Sequence, residues 1–318
     1  MDTISRRELV RKYTPVFYFT ENERYFPCSW QYLYTNSTPR QTPDGQQYLD
    51  ISISSLGGEL SFTPDGKLSL DHVPVYAYVN ETASTIDVTY MVLYTYNGPK
   101  NVLFIQEAGA HYGDLEHVTI LFDKTTLKPL QMHYAAHQNK DGRLLDWADV
   151  EKEGDRPVAY IAESGHGHYH QPGVAFRILG LANDITEKHF RWVPTAEYVP
   201  LKGQEGYDEA QAAWIYYPGR FGHMGISSPS TARWFQEGTA VLGTLQPPPF
   251  FSTRFYKLFR YSSTILVPAI ILLFLLAGLQ LLSAKSDGIK VGFVVAYVAL
   301  VVVGIIEIKS LIDTYGNE

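Results

Sequence analysis

The chain has 318 residues, of which 45% are hydrophobic and 19% charged, enough for one large domain or two small ones. Its net charge of −7 argues against a general nucleic-acid-binding role, so we expect no nucleic-acid partner. The 23 Tyr and 16 Phe residues favour strands over helices. A single cysteine, Cys28, forms no internal disulfide and suits a reducing compartment. The first 15 residues are polar and charged, unlike a secretory signal.

In chain order, residues 1–245 are predicted to form a single β-rich domain. Apolar and aromatic side chains alternate from Ile86 to Tyr96, which predicts a half-buried strand. Further strands are predicted at 73–79, 118–122, 130–134 and 158–161, and short helices at 2–11 and around 208–213. Turn signals, rather than amphipathic helices, separate the strands, so the fold class is predicted as mainly β, an antiparallel β-sandwich-like domain.

One short segment, 110–117, brings an imidazole and two carboxylates together just before the strand at 118–122. Strand periodicity places Asp114 and Glu116 on the same face as Val118. Two carboxylates among buried apolar side chains repel each other unless a cation or strong donors lie between them. A divalent ion held by these residues is one interpretation. The alternative is a turn in which the imidazole and Asp114 bond the backbone while Glu116 faces water.

After residue 245 the composition changes. A Pro-rich and aromatic-basic linker is predicted at 246–262, a two-helix transmembrane hairpin at 263–312 and a tail at 313–318. The runs 263–283 and 291–306 contain no charged residue. The first is long enough to cross a bilayer, and at ~1.5 Å per residue the second covers roughly 24 Å and needs extension to Ile312. A buried helical hairpin of a soluble protein is the alternative.

The cations around the predicted hairpin bear on its orientation. They are Arg254, Lys257 and Arg260 before the first span, and Lys285 and Lys290 in the turn. The excess of three over two places the large domain on the cytoplasmic side. Two glycosylation triplets, at Asn36 and Asn80, argue for the opposite side. We therefore expect an integral membrane protein that contacts the lipid bilayer, with its large domain on the cytoplasmic side.

The segment from His111 to Val118 resembles the His-x-Gly-Asp-Trp-Glu-His-Val signature of the vacuolar protein sorting-associated protein sixty-two family, with Leu115 in place of Trp. Its His-x-x-Asp-x-Glu frame is more distantly similar to the heptapeptide of the necrosis- and ethylene-inducing toxins. Other segments extend the resemblance to roughly residues 13–235, and they are Tyr13–Ser29, Tyr94–Gly98, Ala136–Trp147, Pro157–Tyr169 and Gly219–Trp234. The toxin resemblance implies a β-sandwich that holds a divalent ion.

Residue chemistry and the resemblance together select six candidate metal ligands. They are Asn97, His111, Asp114, Glu116, His137 and His166. The ion expected from oxygen ligands plus histidine is Mg²⁺, Ca²⁺ or Mn²⁺. His168 and His170 follow in the same His-rich segment and are interpreted as residues of a solvated loop. No Gly-x-Ser-x-Gly elbow is present and Cys28 has no evident base beside it, so no catalytic residue is assigned.

Three classes of function fit this sequence. The first is a non-enzymatic membrane adaptor or structural protein with protein partners, in trafficking or in a membrane-lined assembly such as a virion. The second is a toxin-like, membrane-perturbing effector, which the lack of a signal peptide and the anchor weaken. The third is a metal-dependent hydrolase, in which His, Asp and Glu around an ion activate water.

Overall fold

A computed structural model describes residues 3–62, 68–102, 105–137, 142–177, 183–222 and 250–251, and these form a mainly β protein with few helices. The helices in these ranges are α1 (Thr3–Lys12), α2 (Trp30–Thr35) and α3 (Glu209–Ala212), with a 3₁₀ turn at Ile53–Ser55. The strands are β1 (Val16–Phe19), β2 (Ser37–Gln41), β3 (Gln47–Ile51), β4 (Ser61–Phe62), β5 (Leu68–Ser69), β6 (Val75–Glu81), β7 (Thr85–Asn97), β8 (Lys100–Val102), β9 (Ile105–Ala108), β10 (His111–Asp123), β11 (Pro129–Tyr134), β12 (Arg143–Asp146), β13 (Lys152–Glu153), β14 (Arg156–Ile161), β15 (His168–Tyr169), β16 (Gly173–Ala175), β17 (Asp184–Thr186), β18 (Phe190–Trp192), β19 (Ala196–Tyr198) and β20 (Phe250–Phe251).

The larger sheet has six strands in the order β12-β11-β10-β7-β6-β19. Its centre is the antiparallel pair β7 and β10, each 13 residues long, which runs in register from Thr85 opposite Asp123 to Asn97 opposite His111. The alternating apolar and β-branched residues of both strands favour this pairing. The last strand, β19, joins β6 in parallel.

The second sheet has five strands, in the order β13-β14-β1-β18 with β15 also paired to β14. Strand β1 lies parallel to β14 and antiparallel to β18. Both sheets are therefore mixed, whereas the sequence predicted antiparallel pairing. The parallel partners are far apart in the chain, and alternation within one strand carries no information about a distant partner's direction.

The two sheets share one hydrophobic core, as in a β-sandwich. The larger sheet and the smaller sheet both contribute fully buried side chains to it, including Val88, Tyr90, Val92, Val118, Ile120, Phe17, Phe19, Ala159 and Ile161. Full burial of a Val, Ile or Phe side chain contributes about 1.5–3 kcal/mol to the free energy of folding. Helix α1 adds Leu9 and Val10 to the same core.

The other face of the larger sheet is also covered. Met91 and Leu93 of β7 pack there in a second cluster with Leu33 of α2, Trp214 and Phe221. The strand at 86–96 is therefore buried on both faces, and the prediction of a half-buried strand was wrong in this respect. Thr89, a polar residue between the apolar ones of β7, shares a buried hydrogen bond of 2.9 Å with Thr119 of β10.

Two of the predicted helices are present. Helix α1 begins one residue after the predicted start, and α3 lies within 208–213 with the Asp208 side chain accepting hydrogen bonds from Ala210 N and Gln211 N. No helix in the described ranges is long and apolar enough to cross a membrane. The predicted spans at 263–283 and 291–306 lie outside those ranges.

Contacts divide the chain into two compact units. The first comprises residues 1–172 and 176–248 and contains both sheets and their core. The second comprises residues 173–175 and 249–318, of which the structure describes the antiparallel pair β16 and β20. The predicted boundary at residue 245, the linker, the hairpin and the tail stay predictions.

Candidate functional site

Strand β10 carries Asp114 and Glu116 on the face that points into the shared core. Asp114 lies directly opposite Tyr94 of β7, and Glu116 lies opposite Val92. Val92 and Tyr94 belong to the core cluster, as does Val118 further along β10. The alternation of β10 therefore brings two carboxylates to the end of an otherwise apolar face.

Gly113 lets His111 approach the same carboxylates. Its φ of +68° is a left-handed conformation, and a Cβ at this position would lie 1.3 Å from the carbonyl oxygen of Phe221. The ring of His111 turns back over this residue, with Nδ1 2.8 Å from Gly113 O and Nε2 4.0 Å from Asp114 Oδ1. Because a carbonyl oxygen only accepts, Nδ1 carries a hydrogen, and Nε2 is the ring nitrogen on the side of Asp114.

Asp114 is buried and fully hydrogen-bonded on both oxygens. Oδ1 accepts from Leu115 N at 2.9 Å and Oδ2 from His166 Nδ1 at 2.8 Å. Burial alone would raise the pKa of Asp114, but the hydrogen bond from His166 and the imidazole of His111 lower that pKa below its ordinary value. Asp114 is therefore an ionised carboxylate held in one orientation.

His166 bridges Asp114 to the loop at residue 25. Its Nε2 lies 2.9 Å from Tyr25 O, and its ring stacks on Tyr94 with centroids 3.7 Å apart and an angle of 3° between the planes. Both ring nitrogens of His166 face acceptor oxygens at hydrogen-bond distance, so neither is open to an ion in this arrangement. His166 was predicted as a metal ligand, and here it contacts the site through Asp114.

Glu23 fixes the two loops that position His166. This buried carboxylate accepts hydrogen bonds from Arg24 N, Tyr25 N and Ser164 N, each at 2.9 Å. Ser164 and His166 both have left-handed backbones, with φ of 61° and 55°. A non-glycine residue in this region costs of order 1 kcal/mol or more, so the surrounding contacts hold these loops in a strained conformation.

Glu116 is the carboxylate of the site with the fewest hydrogen-bond partners among the described residues. Burial, together with the negative charges of Asp114 and Asp184, raises its pKa well above the ordinary value. Among the residues that the structure describes, no hydrogen-bond donor or cation contacts its carboxylate. The fully buried hydroxyl of Tyr94 is also without a hydrogen-bond partner, and burial followed by the charges of Asp114, Glu23 and Glu116 raises its pKa.

Asp184 was missed from the sequence. It is fully buried at the start of β17 and accepts hydrogen bonds from His137 Nε2 at 2.5 Å and from Tyr169 Oη at 2.7 Å. Arg177 Nη1 lies 3.8 Å from the same oxygen. His137 is only partly buried and has a left-handed backbone with φ of 52°. A three-residue strand is too short for alternation to show that Asp184 faces inward.

Asn97 lies beside the site, but its side-chain amide hydrogen-bonds backbone carbonyls of the neighbouring turn. In the sheet it pairs with His111, while its side-chain Nδ2 donates to Gly98 O at 3.3 Å and to Gly109 O at 2.9 Å. Arg254, Lys257, Arg260, Lys285 and Lys290, the predicted membrane-anchor residues, lie outside the described ranges.

His168 does not lie in a solvated loop, so that prediction was wrong. Its side chain is buried in β15, with Nδ1 3.2 Å from His117 O, and burial lowers its pKa to about 3. Partial burial also lowers the pKa of His170, to about 4. His117 and His133 of the larger sheet are buried as well, and desolvation lowers their pKa values. The reason for the error is that β15 pairs with β14, which no local pattern indicated.

The residue types of this site, carboxylates and imidazoles, are those that bind divalent ions in proteins. The negative charges of Asp114 and Asp184 both act on Glu116. The imidazole of His111 lies 4.0 Å from Asp114, and that of His137 bonds Asp184. Among the described residues, no group of three or more His, Cys, Asp or Glu side chains is placed so that it could hold a metal ion. Instead, Asp114 bonds His166 and Asp184 bonds His137. The Cys28 thiol offers no nucleophile here, since complete burial and the nearby Glu59 carboxylate raise its pKa.

The fold and this site define a mainly β protein with a buried carboxylate–imidazole centre. Residues 38–222 match the family model described as vacuolar protein sorting-associated protein 62. The chain belongs to this family, and the predicted resemblance is confirmed. Among curated proteins, none matches the sequence.

Several solved structures of toxin-fold proteins are similar to the chain. One is necrosis and ethylene inducing protein 2 from the causal agent of cocoa's witches' broom disease, with 10% identity, TM-score 0.33 and coverage of 60% of this chain and 72% of that one. A structure described as a toxin fold for microbial attack and plant defence has 11% identity, TM-score 0.43 and coverage of 74% and 90%. The non-toxic HaNLP3 protein has 13% identity, TM-score 0.37 and coverage of 67% and 81%.

Proposed function

We propose that the chain is a non-enzymatic adaptor or structural protein of a membrane, whose β domain binds one divalent cation. The observation that supports the cation is that Asp114 and Glu116 lie two residues apart on one face of β10, with His111 Nε2 4.0 Å from Asp114 Oδ1. Among the described residues, no cation contacts the Glu116 carboxylate. The family name refers to protein sorting, which supports a role in membrane trafficking. A membrane-lined assembly such as a virion is the other setting that suits a compact domain on a short anchor.

The cation is held in this proposal by His111, Asp114 and Glu116. Bound there, a divalent ion supplies the positive charge that removes the repulsion between the carboxylates. Carboxylate oxygens with one imidazole suit Mg²⁺, Ca²⁺ or Mn²⁺. The chain's own contribution is rigidity: His166 fixes Asp114, and Gly113 permits the return of the His111 ring.

The metal content of the purified full-length protein tests this part. We expect about one equivalent of divalent ion after dialysis against Mn²⁺, and a loss of most of it in Asp114→Ala. Asp146→Ala is the matched control, because Asp146 lies exposed on the edge strand β12 and bonds Gln131. Equal metal content in Asp114→Ala and wild type, or none in either, would remove the proposal.

The membrane part of the proposal rests on the apolar runs 263–283 and 291–306. We propose that they form a hairpin and that Arg254, Lys257 and Arg260 lie at the bilayer surface. In carbonate extraction the full chain should stay with the membrane, and a chain lacking residues 261–318 should be released. Replacing the three cations by Ala distinguishes electrostatic attraction to the bilayer surface from a membrane span. A protein that spans the membrane stays in the pellet without these cations. Retention of the truncated chain would contradict the hairpin.

We further propose that the β domain faces the cytoplasm, where it binds protein partners. Asn36 and Asn80 then carry no glycan, although Asn80 is exposed on β6. Treatment with a glycosidase should leave the electrophoretic mobility of the cell-expressed protein unchanged. A mobility shift that disappears in Asn80→Gln would place the domain on the other side of the membrane.

The two alternative functions give different results in direct assays. A toxin-like effector releases dye from lipid vesicles when the protein is added from outside. A metal-dependent hydrolase turns over a phosphoester, peptide or glycoside substrate, and Glu116→Gln abolishes that turnover while the fold is kept. The adaptor function predicts neither dye release nor turnover.

A further inference from the structure

One turn of the larger sheet exposes apolar side chains to solvent. The turn between β10 and β11 comprises residues 124–128, and all five are exposed. Leu127 in this turn is 40% exposed, and Leu130, near the start of β11, is 45% exposed. Large apolar side chains that are exposed close together, with polar residues around them, mark interaction surfaces. We refer to residues 124–130 as the leucine turn.

The leucine turn is held in one shape by hydrogen bonds to the residue before it. Asp123 Oδ1 accepts from Thr125 N at 3.1 Å, from Thr126 N at 2.7 Å and from Thr126 Oγ1 at 2.8 Å. Leu127 N donates to Asp123 O, and Asp123 N donates to Lys128 O, both at 2.9 Å. The hydrogen bonds from Thr126 lower the pKa of Asp123, so the turn itself stabilises this negative charge.

The backbone of Leu127 is strained. Its φ of 54° lies in the left-handed region, which Gly, Asn and Asp adopt readily and a bulky side chain rarely adopts. The geometry of the turn would therefore be satisfied better by Asn or Gly at this position. Strain retained at an exposed residue points to a role for its side chain outside the fold.

Cations flank the exposed leucines. Lys124 Nζ donates to Thr82 O at 2.8 Å and lies 3.6 Å from Glu81 Oε2. Glu81 also accepts a hydrogen bond from Arg6 at 2.8 Å, so two cations share one carboxylate. Within the described part of the chain, the ammonium group of Lys128 makes no ion pair. The surroundings of the turn therefore carry an excess of positive charge, in a chain whose net charge is −7.

We propose that the leucine turn inserts Leu127 and Leu130 into the surface of a bilayer that contains anionic lipids. Leucine gains free energy by leaving water for the acyl boundary, and lysines beside it attract anionic headgroups. Lys124 and Lys128 flank Leu127, which fits a bilayer because its charged headgroups lie outside its apolar chains. This contact belongs to the β domain itself. It goes beyond the proposed function and needs neither the hairpin nor the cation site.

A nitroxide label on the turn tests this docking locally, whatever holds the rest of the chain at the membrane. Thr125→Cys carries the label and leaves Leu127 in place, while the native Cys28 is buried. The full chain is reconstituted in phosphatidylcholine vesicles with and without phosphatidylserine. With phosphatidylserine, electron paramagnetic resonance should show the label exposed to oxygen and shielded from a nickel chelate. A label on Ile53→Cys, at a side chain that is 76% exposed, is the control and should stay accessible to the chelate. Equal chelate access at both labels would overturn the proposal.

Variants made with the Thr125→Cys label separate docking from folding. Leu127→Asn relieves the left-handed strain, so the melting temperature should stay or rise while the ratio of docked to undocked turn falls by about tenfold. Replacing Lys124 and Lys128 by Gln should lower that ratio by about 30-fold. Leu144→Asn, at a leucine of β12 that is 43% exposed, is the matched control and should dock like wild type. Docking that survives Leu127→Asn, or that is as strong without phosphatidylserine, would overturn the proposal.

Discussion

The buried imidazole of His133 makes the stability of the domain depend on pH. His133 lies on β11 opposite Thr119 of β10 and is only 2% exposed, and neither of its ring nitrogens has a hydrogen-bond partner in the described part of the chain. Desolvation lowers its pKa to about 4. The side chain is therefore neutral in the folded protein throughout the range in which an unfolded histidine becomes charged.

The size of the effect follows from the two pKa values. An unfolded histidine has a pKa of about 6.5, so as the pH falls below that value the unfolded state binds the proton first. The contribution of His133 is intact above about pH 6.5 and is lost as the pH falls toward 4. At about 1.4 kcal/mol per pH unit, the loss is about 2 kcal/mol at pH 5 and about 3 kcal/mol below pH 4.

Urea unfolding of the full chain, followed by tryptophan fluorescence at pH 7.5 and pH 5, measures this loss. His133→Leu should lose about 2 kcal/mol less than wild type between the two pH values. His168 acts in the same direction as His133 and Glu116 in the opposite one, and both contributions are common to the two proteins. His117 also acts in the same direction, mainly through its own burial, with a smaller contribution from His133 that the substitution removes. His72→Gln, at a side chain that is 43% exposed, is the control and should follow wild type. Parallel pH profiles for wild type and His133→Leu would refute the reasoning.

Two further predictions concern the site and compare matched variants by urea unfolding. Gly113→Ala should destabilise the domain by more than about 3 kcal/mol, because the added Cβ would overlap the Phe221 carbonyl. The matched variant Gly109→Ala places its Cβ in open space, so it should cost only the strain of its φ of +79°, about 1 kcal/mol. A similar loss in both would contradict the close approach at Gly113. Tyr94→Phe should leave stability unchanged or raise it by about 1 kcal/mol, since its buried hydroxyl has no partner among the described residues. Tyr134→Phe removes a 3.1 Å hydrogen bond and should cost about 1 kcal/mol. A clear loss in Tyr94→Phe would reveal a partner for that hydroxyl.

Local periodicity was sufficient to predict the main strands of the larger sheet. The alternation from Ile86 to Tyr96 corresponds to β7, and the run at 118–122 corresponds to the second half of β10. The short strands β15, β17, β18 and β19 were not predicted, because two or three residues carry no detectable period. Strands β18 and β19 also pair with β1 and β6, more than a hundred residues away in the chain. The parallel pairs β1–β14 and β6–β19 were not predicted either, because their partners are also far apart in the chain.

The site was predictable where it lies on one strand. Spacing alone placed Asp114 and Glu116 on one face, and both lie there in the structure. The contribution of Asp184 and the bridge from Glu23 to His166 depend on loops that meet only in the folded chain. The sequence also could not show which histidine nitrogens are already bonded: both nitrogens of His166 are, whereas His111 bonds only through Nδ1. Asn97 was predicted as a ligand because of its resemblance to a metal-ligand position of the toxins. In the structure its side-chain amide donates to a backbone carbonyl instead.

The most direct test of the cation site is the melting temperature of the full chain with chelator and with Mn²⁺, for wild type and Glu116→Gln. At ~100-fold excess over the dissociation constant, binding should stabilise wild type by about 2.7 kcal/mol, or about 5 to 10 °C for a domain of this size. In chelator, Glu116→Gln should melt above wild type, because a neutral side chain removes the repulsion that raises the pKa of Glu116. The same variant should lose the response to Mn²⁺. A variant that melts below wild type in chelator and still responds to Mn²⁺ would contradict the site.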